Sequence, residues 1–288
     1  MSQQKTIVIT GCSSGLGRVT ALHLAAGAPI GASWHVFATV RREEDRSSLL
    51  SEAAARGCHA RLTPFICDIT APEQVNALAQ AVAAVSPQLD ALLNNAGTTY
   101  PAPLEIMTLE DLRAQLEINL VAHVSVTQRL LPLLKAARGT IVNVSSVSGR
   151  IATPMLGAYA ASKFALEAIS DAWRIELAPF GVQVVVIEPD SYATTIWKTG
   201  KDRAIASMQP YRGGPYERLF TAVEKFSDRS AAHAYPPQQF AHTVQHILAS
   251  RHPRPRYVLP RRSRWLLFLR QLLSDRLWDR QVRRLLKW

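Results

Sequence analysis

Tyr159 and Lys163 stand four residues apart in Tyr-Ala-Ala-Ser-Lys, and Ser146 precedes the tyrosine by thirteen residues. On a helix that spacing puts the phenol and the ammonium on one face. A free phenol, with a pKa of about 10, is a poor acid–base catalyst at neutral pH, whereas a fixed cation nearby favours the phenolate. Ser146 ends the apolar run Ile-Val-Asn-Val, which reads as a buried strand and could hold a hydroxyl over the same point. An acid–base group, a charge to tune it and a hydroxyl to hold an oxygen are the parts needed to interconvert a carbonyl and an alcohol.

The elements that position these residues begin at the N-terminus. Lys5 to Thr10 form a short β-branched run suited to a buried parallel strand. Thr-Gly11-Cys-Ser13-Ser14-Gly15-Leu16-Gly17 follows, and then a helical pattern through Ala26. Strand, glycine-rich turn and helix make a phosphate cradle, because glycines let the backbone come close and the helix start offers N–H groups and a positive dipole end. The spacing is Gly-x-x-x-Gly-x-Gly rather than Gly-x-Gly-x-x-Gly.

Further along, strands are expected at 35–40, 61–67, 89–93, 139–145 and 182–188. Helices are expected at 42–56, 72–85, 109–135 and 157–179. Strands alternating with helices argue an α/β fold: a doubly wound, Rossmann-like parallel sheet in one domain, 1–260, with a tail at 261–288. At 288 residues and 48% hydrophobic, the chain can bury a full core. Residues 19–40 lack acids, Lys and Arg, but Gly27, Pro29, Gly31 and Ser33 break the stretch and exclude a membrane span. Cys12, Cys58 and Cys67 show no Cys-x-x-Cys spacing and the eight His form no paired motif, so no metal is expected. The odd cysteine count and the lack of a secretory signal fit a reducing, cytoplasmic compartment.

From about residue 5 to about residue 195 the chain resembles the short-chain dehydrogenase/reductase family, with its motifs in the family's order. Gly11, Ser13, Ser14, Gly15, Leu16 and Gly17 resemble its cofactor turn; Asp68 and Ile69 match the position that meets the adenine ring. Asn95, Ala96 and Gly97 resemble the fourth-strand signature. Asn119 matches the helix asparagine that holds a proton-relay water, and with Ser146, Tyr159 and Lys163 it completes the catalytic tetrad the resemblance implies. Pro189 to Thr194 resembles Pro-Gly-x-x-x-Thr, whose threonine meets the nicotinamide, but Asp190 replaces the glycine. If that position requires positive φ, aspartate suits it less well than glycine. The resemblance implies a homodimer or homotetramer as the default assembly, with the 109–135 and 157–179 helices as a candidate interface.

In this fold an acid closing the second strand binds a free ribose 2′-hydroxyl, and a nearby arginine accommodates a 2′-phosphate. Here Val40 closes the strand and Arg41 and Arg42 follow, which favours NADP(H) over NAD(H), with Arg41 the nearer contact. Residues 190–237 carry many aromatic and aliphatic side chains in the region that forms the family's substrate lid. Either they face a large hydrophobic ligand or they pack the lid onto the body. Met155, Tyr192 and Trp197 are the substrate contacts expected beside Ser146 and Tyr159, and the arrangement is similar to the retinol and hydroxysteroid dehydrogenase branch. The expected activity is a tetrad-catalysed, NADP(H)-dependent alcohol–carbonyl interconversion on a hydrophobic substrate. The alternative is a non-catalytic NADP(H)-binding regulator, for which an intact tetrad has no chemical use.

Residues 251–288 hold twelve Arg and Lys against Asp275 and Asp279, so ten of the net +11 charges lie there. Leucines and tryptophans between the arginines make one or two amphipathic helices. Two readings stand: peripheral contact with an anionic membrane surface, or docking on the body or on a second subunit. Nothing in the chain resembles a nucleic-acid module.

Overall fold

The structure, a computed structural model, describes residues 4–27, 33–232 and 234–288, with side chains throughout except at 195–198 and 226–232. β1 (Lys5–Ile9), β2 (Trp34–Val40), β3 (Leu62–Ile66), β4 (Ala91–Asn94), β5 (Thr140–Val144), β6 (Gln183–Pro189) and β7 (Arg256–Leu259) form one sheet in the order β3-β2-β1-β4-β5-β6-β7. Every pairing is parallel. A parallel sheet covered on both faces needs apolar side chains on both, and β1 shows it: Thr6, Ile7, Val8 and Ile9 are all buried.

Ile7 and Ile9 pack with residues of α1 (Gly15–Ala26), α2 (Glu43–Ala55) and α9 (Pro237–Ala249), among them Leu22, Leu49 and Phe240. Val8 faces the other way, onto residues of α3 (Pro72–Val85) and α5 (Ala122–Ala137) such as Leu78 and Val126. Trp173 of α6 (Gly157–Glu176) packs against that second layer. β1 and β4 are neighbours although they are not consecutive, so the chain leaves them in opposite directions and opens a crevice at their carboxyl ends.

The single helix expected at 109–135 is α4 (Leu109–Leu116) and α5 joined by one π turn, Glu117–Val121, which contains Asn119. The lid, expected without strands, is helical: α7 (Thr195–Met208) and α8 (Glu217–Ala232). The tail forms two helices, α10 (Ser263–Leu272) and α11 (Asp275–Leu286). They are docked. Leu286 joins a buried cluster with Met155, Met208, Leu219 and Phe220, and the Trp288 ring stacks on Tyr216 at 5.8 Å between centroids.

Candidate active site

Thr10 is the knot of the crevice. Its hydroxyl accepts the backbone N–H groups of Asn95 and Ala96 at 2.9 and 3.0 Å, while the Asn95 amide donates back to the carbonyls of Thr10 and Gly11 at 2.9 and 3.1 Å. This locks the turn after β1 against the loop after β4. Gly11 has φ +72°, and a Cβ there would lie 2.7 Å from the Ala96 Cα, so both its dihedral and its surroundings demand glycine. Gly17 lies inside α1, where a Cβ would sit 2.4 Å from both the Asn95 Nδ2 and the Gly11 carbonyl oxygen. Helix propensity alone makes Gly→Ala stabilising by about 1 kcal/mol. Gly17→Ala is expected to do the reverse, costing about 1–3 kcal/mol, because the knot must open, and to weaken the binding of whatever phosphate-bearing ligand the turn cradles. Urea melts and ligand titration check both.

The turn borders a cavity of about 330 Å³. Ser13, Ser14, Gly15, Leu16, Arg41, Asp68, Ile69, Asn95, Ala96, Gly97, Ser146, Tyr159, Lys163, Pro189 and Thr194 line it as well. The first turn of α1 carries no acid, so nothing offsets its positive end. The two arginines after β2 part company: Arg41 borders the cavity, whereas the exposed Arg42 pairs with Asp45 at 3.1 Å. One Asp68 oxygen is used locally, accepting from the Thr70 N–H and hydroxyl at 2.9 and 2.7 Å. A helix start with no acid in its first turn, together with Arg41, suits a phosphate-bearing ligand.

At the other end of the cavity stand Ser146, Tyr159 and Lys163. All are buried, and α6 carries the last two. The Lys163 ammonium donates to the Val144 carbonyl at 2.8 Å and lies 5.8 Å from the Tyr159 ring centre. Burial draws its pKa down to about 8, against the opposing pull of Glu167. Burial also pushes the Tyr159 phenol up, and the opposing downward pull comes from a hydrogen bond with Ser146. Ser146 thus joins Lys163 as a group placed to favour the phenolate, the serine by a hydrogen bond and the buried ammonium by its charge. The Ser146 hydroxyl also accepts the Ser148 N–H at 3.1 Å and faces the Pro189 carbonyl at 3.3 Å.

Asn119 sits behind this group, fully buried. Its Oδ1 accepts the Thr98 N–H at 2.9 Å, and its Nδ2 donates to the Thr98 carbonyl and the Ser162 hydroxyl at 3.0 and 3.1 Å. These bonds let the Asn119 side chain position the loop after β4 against α6.

A second cavity, of about 520 Å³, begins at Ser146 and Asp190, which border both spaces. Its walls are apolar: Ile151, Met155 and Leu156 on one side, Met208, Phe220 and Val223 of the lid on another. The tail closes it through Leu266, Trp278, Val282 and Leu286. Tyr192, expected to meet substrate, borders the first cavity instead; it is buried against Tyr235 and Phe240 with its hydroxyl on Gln239 at 3.2 Å. The Trp197 side chain, like those of Ile196 and Phe226, lies outside the described residues. Asp190 does not take positive φ. Its carboxylate accepts the Ser263 hydroxyl at 2.6 Å, tying the loop after β6 to the start of α10.

The model of the short chain dehydrogenase family matches residues 5–204. The chain belongs to the short-chain dehydrogenase family. An NADPH-dependent 3-dehydrocapnine reductase of Ornithobacterium rhinotracheale is 32% identical over 281 residues, covering 95% of this chain and 94% of its own. Human retinol dehydrogenase 16 is 36% identical over 267 residues, covering 88% of this chain and 80% of its own. Among solved structures, a short-chain dehydrogenase from Streptomyces avermitilis superposes with a TM-score of 0.75 at 26% identity, covering 94% and 93% of the two chains. The family binds nicotinamide cofactors, and the first cavity fits one.

Two features of this short-chain dehydrogenase escape a reading of its motifs. His123 is buried in α5 and bonds the Ala96 carbonyl at 2.7 Å, and burial holds it neutral by lowering its pKa to about 3. Arg256 of β7 reaches Glu167 at 3.0 Å and Asp171 at 2.6 Å, bracing α6 from below the lid. A lone His and a lone Arg carry no spacing signal; only the fold supplies their partners.

Proposed function

We propose that the chain is an NADP(H)-dependent oxidoreductase that interconverts a hydrophobic alcohol and its ketone or aldehyde. One observation carries this reading: the apolar cavity begins at Ser146, where the Tyr159–Lys163 end of the polar cavity meets it. A substrate oxygen resting at Ser146 has its carbon skeleton in the apolar space and its reacting carbon toward the polar one. Held between the turn after β1 and Lys163, a nicotinamide cofactor would supply the hydride acceptor or donor. Tyr159 exchanges the proton at the substrate oxygen. Ser146 holds that oxygen as charge builds on it. Lys163 stays an ammonium below about pH 8 and keeps a positive charge beneath the phenol. Asn119 fixes the Thr98 loop and Ser162 so that these groups keep their places. The names of the relatives, an NADPH-dependent reductase and a retinol dehydrogenase, support both the cofactor and the lipophilic substrate.

NADPH and NADH oxidation should be followed with a panel of retinoid, steroid and long-chain carbonyl compounds. Turnover is expected with NADPH and with the apolar members of the panel. Tight NADPH binding without turnover across the panel would reject the catalytic reading in favour of a cofactor-binding regulator. Arg41→Ala is expected to weaken NADPH by about 10–100-fold, the worth of a charge-assisted bond, and NADH by far less. Equal losses would remove the 2′-phosphate assignment.

A further inference from the structure

α10 presents two stripes. Ser263 and Leu267 are buried on the body. Trp265, Phe268, Leu269 and Leu272 repeat at i, i+3, i+4 and i+7 on another face, and there about half or more of each side chain is left to solvent: they are 70%, 48%, 50% and 65% exposed. Leu277 and Leu285 extend the apolar surface onto α11, at 44% and 72% exposure. Exposed Arg261, Arg262, Arg264, Arg276 and Arg280 surround it. A helix that had finished docking would show one apolar stripe, not two.

We infer that this face of α10 and α11 is a docking surface for an anionic lipid bilayer. Charge decides the occupant. Pairing with a second copy would press two faces together from tails that each hold nearly all of the chain's net +11, whereas acidic headgroups neutralise them. Tryptophan, phenylalanine and leucine beside arginines are the composition of a helix lying in the interface. No helix among the described residues is long and apolar enough to cross a membrane, so the contact lies along the surface. The same two helices wall the apolar cavity through Leu266, Trp278, Val282 and Leu285. On the reading of function above, a lipophilic substrate would pass from bilayer to cavity beside the docked face without crossing bulk water; the docking itself does not depend on that reading.

The test is co-sedimentation of the full chain with vesicles of phosphatidylcholine alone or mixed with phosphatidylglycerol, without substrate or turnover. Binding is expected to the mixed vesicles, weakened by salt. The triple variant Trp265→Ser, Phe268→Ser, Leu269→Ser should lose about tenfold or more of that binding. Its melting temperature and NADPH affinity should match wild type, since these side chains are exposed and border neither cavity. Arg261→Gln with Arg264→Gln should lower binding to the mixed vesicles only. The proposal is overturned if neither vesicle binds, if both variants bind as wild type does, if the triple variant instead breaks up a dimer, or if nucleic acid binds the tail while vesicles do not. Vesicle binding with no turnover on any carbonyl compound would leave the docking surface standing and sink only the catalytic reading.

Discussion

Tyr159→Phe is expected to lower turnover by about a thousandfold or more while NADPH affinity stays within a few-fold of wild type. General acid–base catalysis by a positioned side chain contributes about 10²–10⁴-fold, and here no second group of suitable chemistry shares the spot. The Ser146 hydroxyl is too weak an acid, and Lys163 donates one of its three ammonium protons to the Val144 carbonyl and lies 5.8 Å from the Tyr159 ring centre. Phenylalanine keeps the ring in its buried place and removes the bond to Ser146, so the fold should change by only about 1 kcal/mol. Single-turnover measurement with NADPH and the best panel substrate separates chemistry from binding. Turnover equal to wild type would mean that the proton comes from elsewhere and that the convergence of the two cavities at Ser146 has been misread.

What could be read from residues alone follows from burial. β1 to β6 and the helices α1 to α3 and α6 were expected within a few residues of where they lie, with α4 and α5 expected as one helix, because strands buried on both faces are runs such as Thr-Ile-Val-Ile and Val-Val-Val-Ile, and these are hard to mistake. The motif residues around the first cavity were legible for a related reason: each needs a residue type that few others can replace. β7 was not. Arg-Tyr-Val-Leu at the sheet edge is short and only partly buried, and prolines at 253, 255 and 260 make it look like a connector. α7 was hidden by Gly200, which helix propensity disfavours but which the fold uses: a Cβ there would lie 2.5 Å from Thr99 Cγ2, so glycine lets the lid approach the loop after β4. The tail looked like a separate segment with two possible fates. The structure shows why one amphipathic pattern could not choose between them, since α10 has a stripe that docks and a second stripe that does not. Asp190 looked like a lost glycine. Its reason lies 73 positions away, at Ser263.

Arg256→Met is expected to be the most damaging single change outside the site, destabilising the chain by about 3–5 kcal/mol at about pH 8 and by less near about pH 5.5. Arg256 is the cation shared by Glu167, Asp171 and Glu188, at 3.0, 2.6 and 3.5 Å. Arg150 reaches Glu188 at 3.3 Å, and one oxygen each of Glu188 and Glu167 is buried without a hydrogen-bond partner. Burial, with Glu167 adding to it, pushes the Glu188 carboxyl up to about 7 against the pull of the two arginines. A raised carboxylate pKa means that the folded chain holds this proton more tightly than the unfolded chain does. This group's contribution to stability is therefore complete below its ordinary value of 4.5 and lost as pH rises through about 7. Removing Arg256 deletes one of the two cations that oppose the rise and pushes the carboxyl higher still, so the variant should fall further behind wild type as pH climbs above about 7. Melting curves at the two pH values read the gap directly. Adding Glu188→Gln to Arg256→Met should recover much of the loss near pH 8, because it removes the buried charge that the arginine served. A deficit that is the same at both pH values and is not recovered by the glutamine would show that Arg256 matters only for packing. Because Glu167 and Asp171 lie on the helix that carries Tyr159 and Lys163, the double variant should also regain turnover less completely than stability: glutamine removes a charge from β6 but does not re-tie α6 to β7.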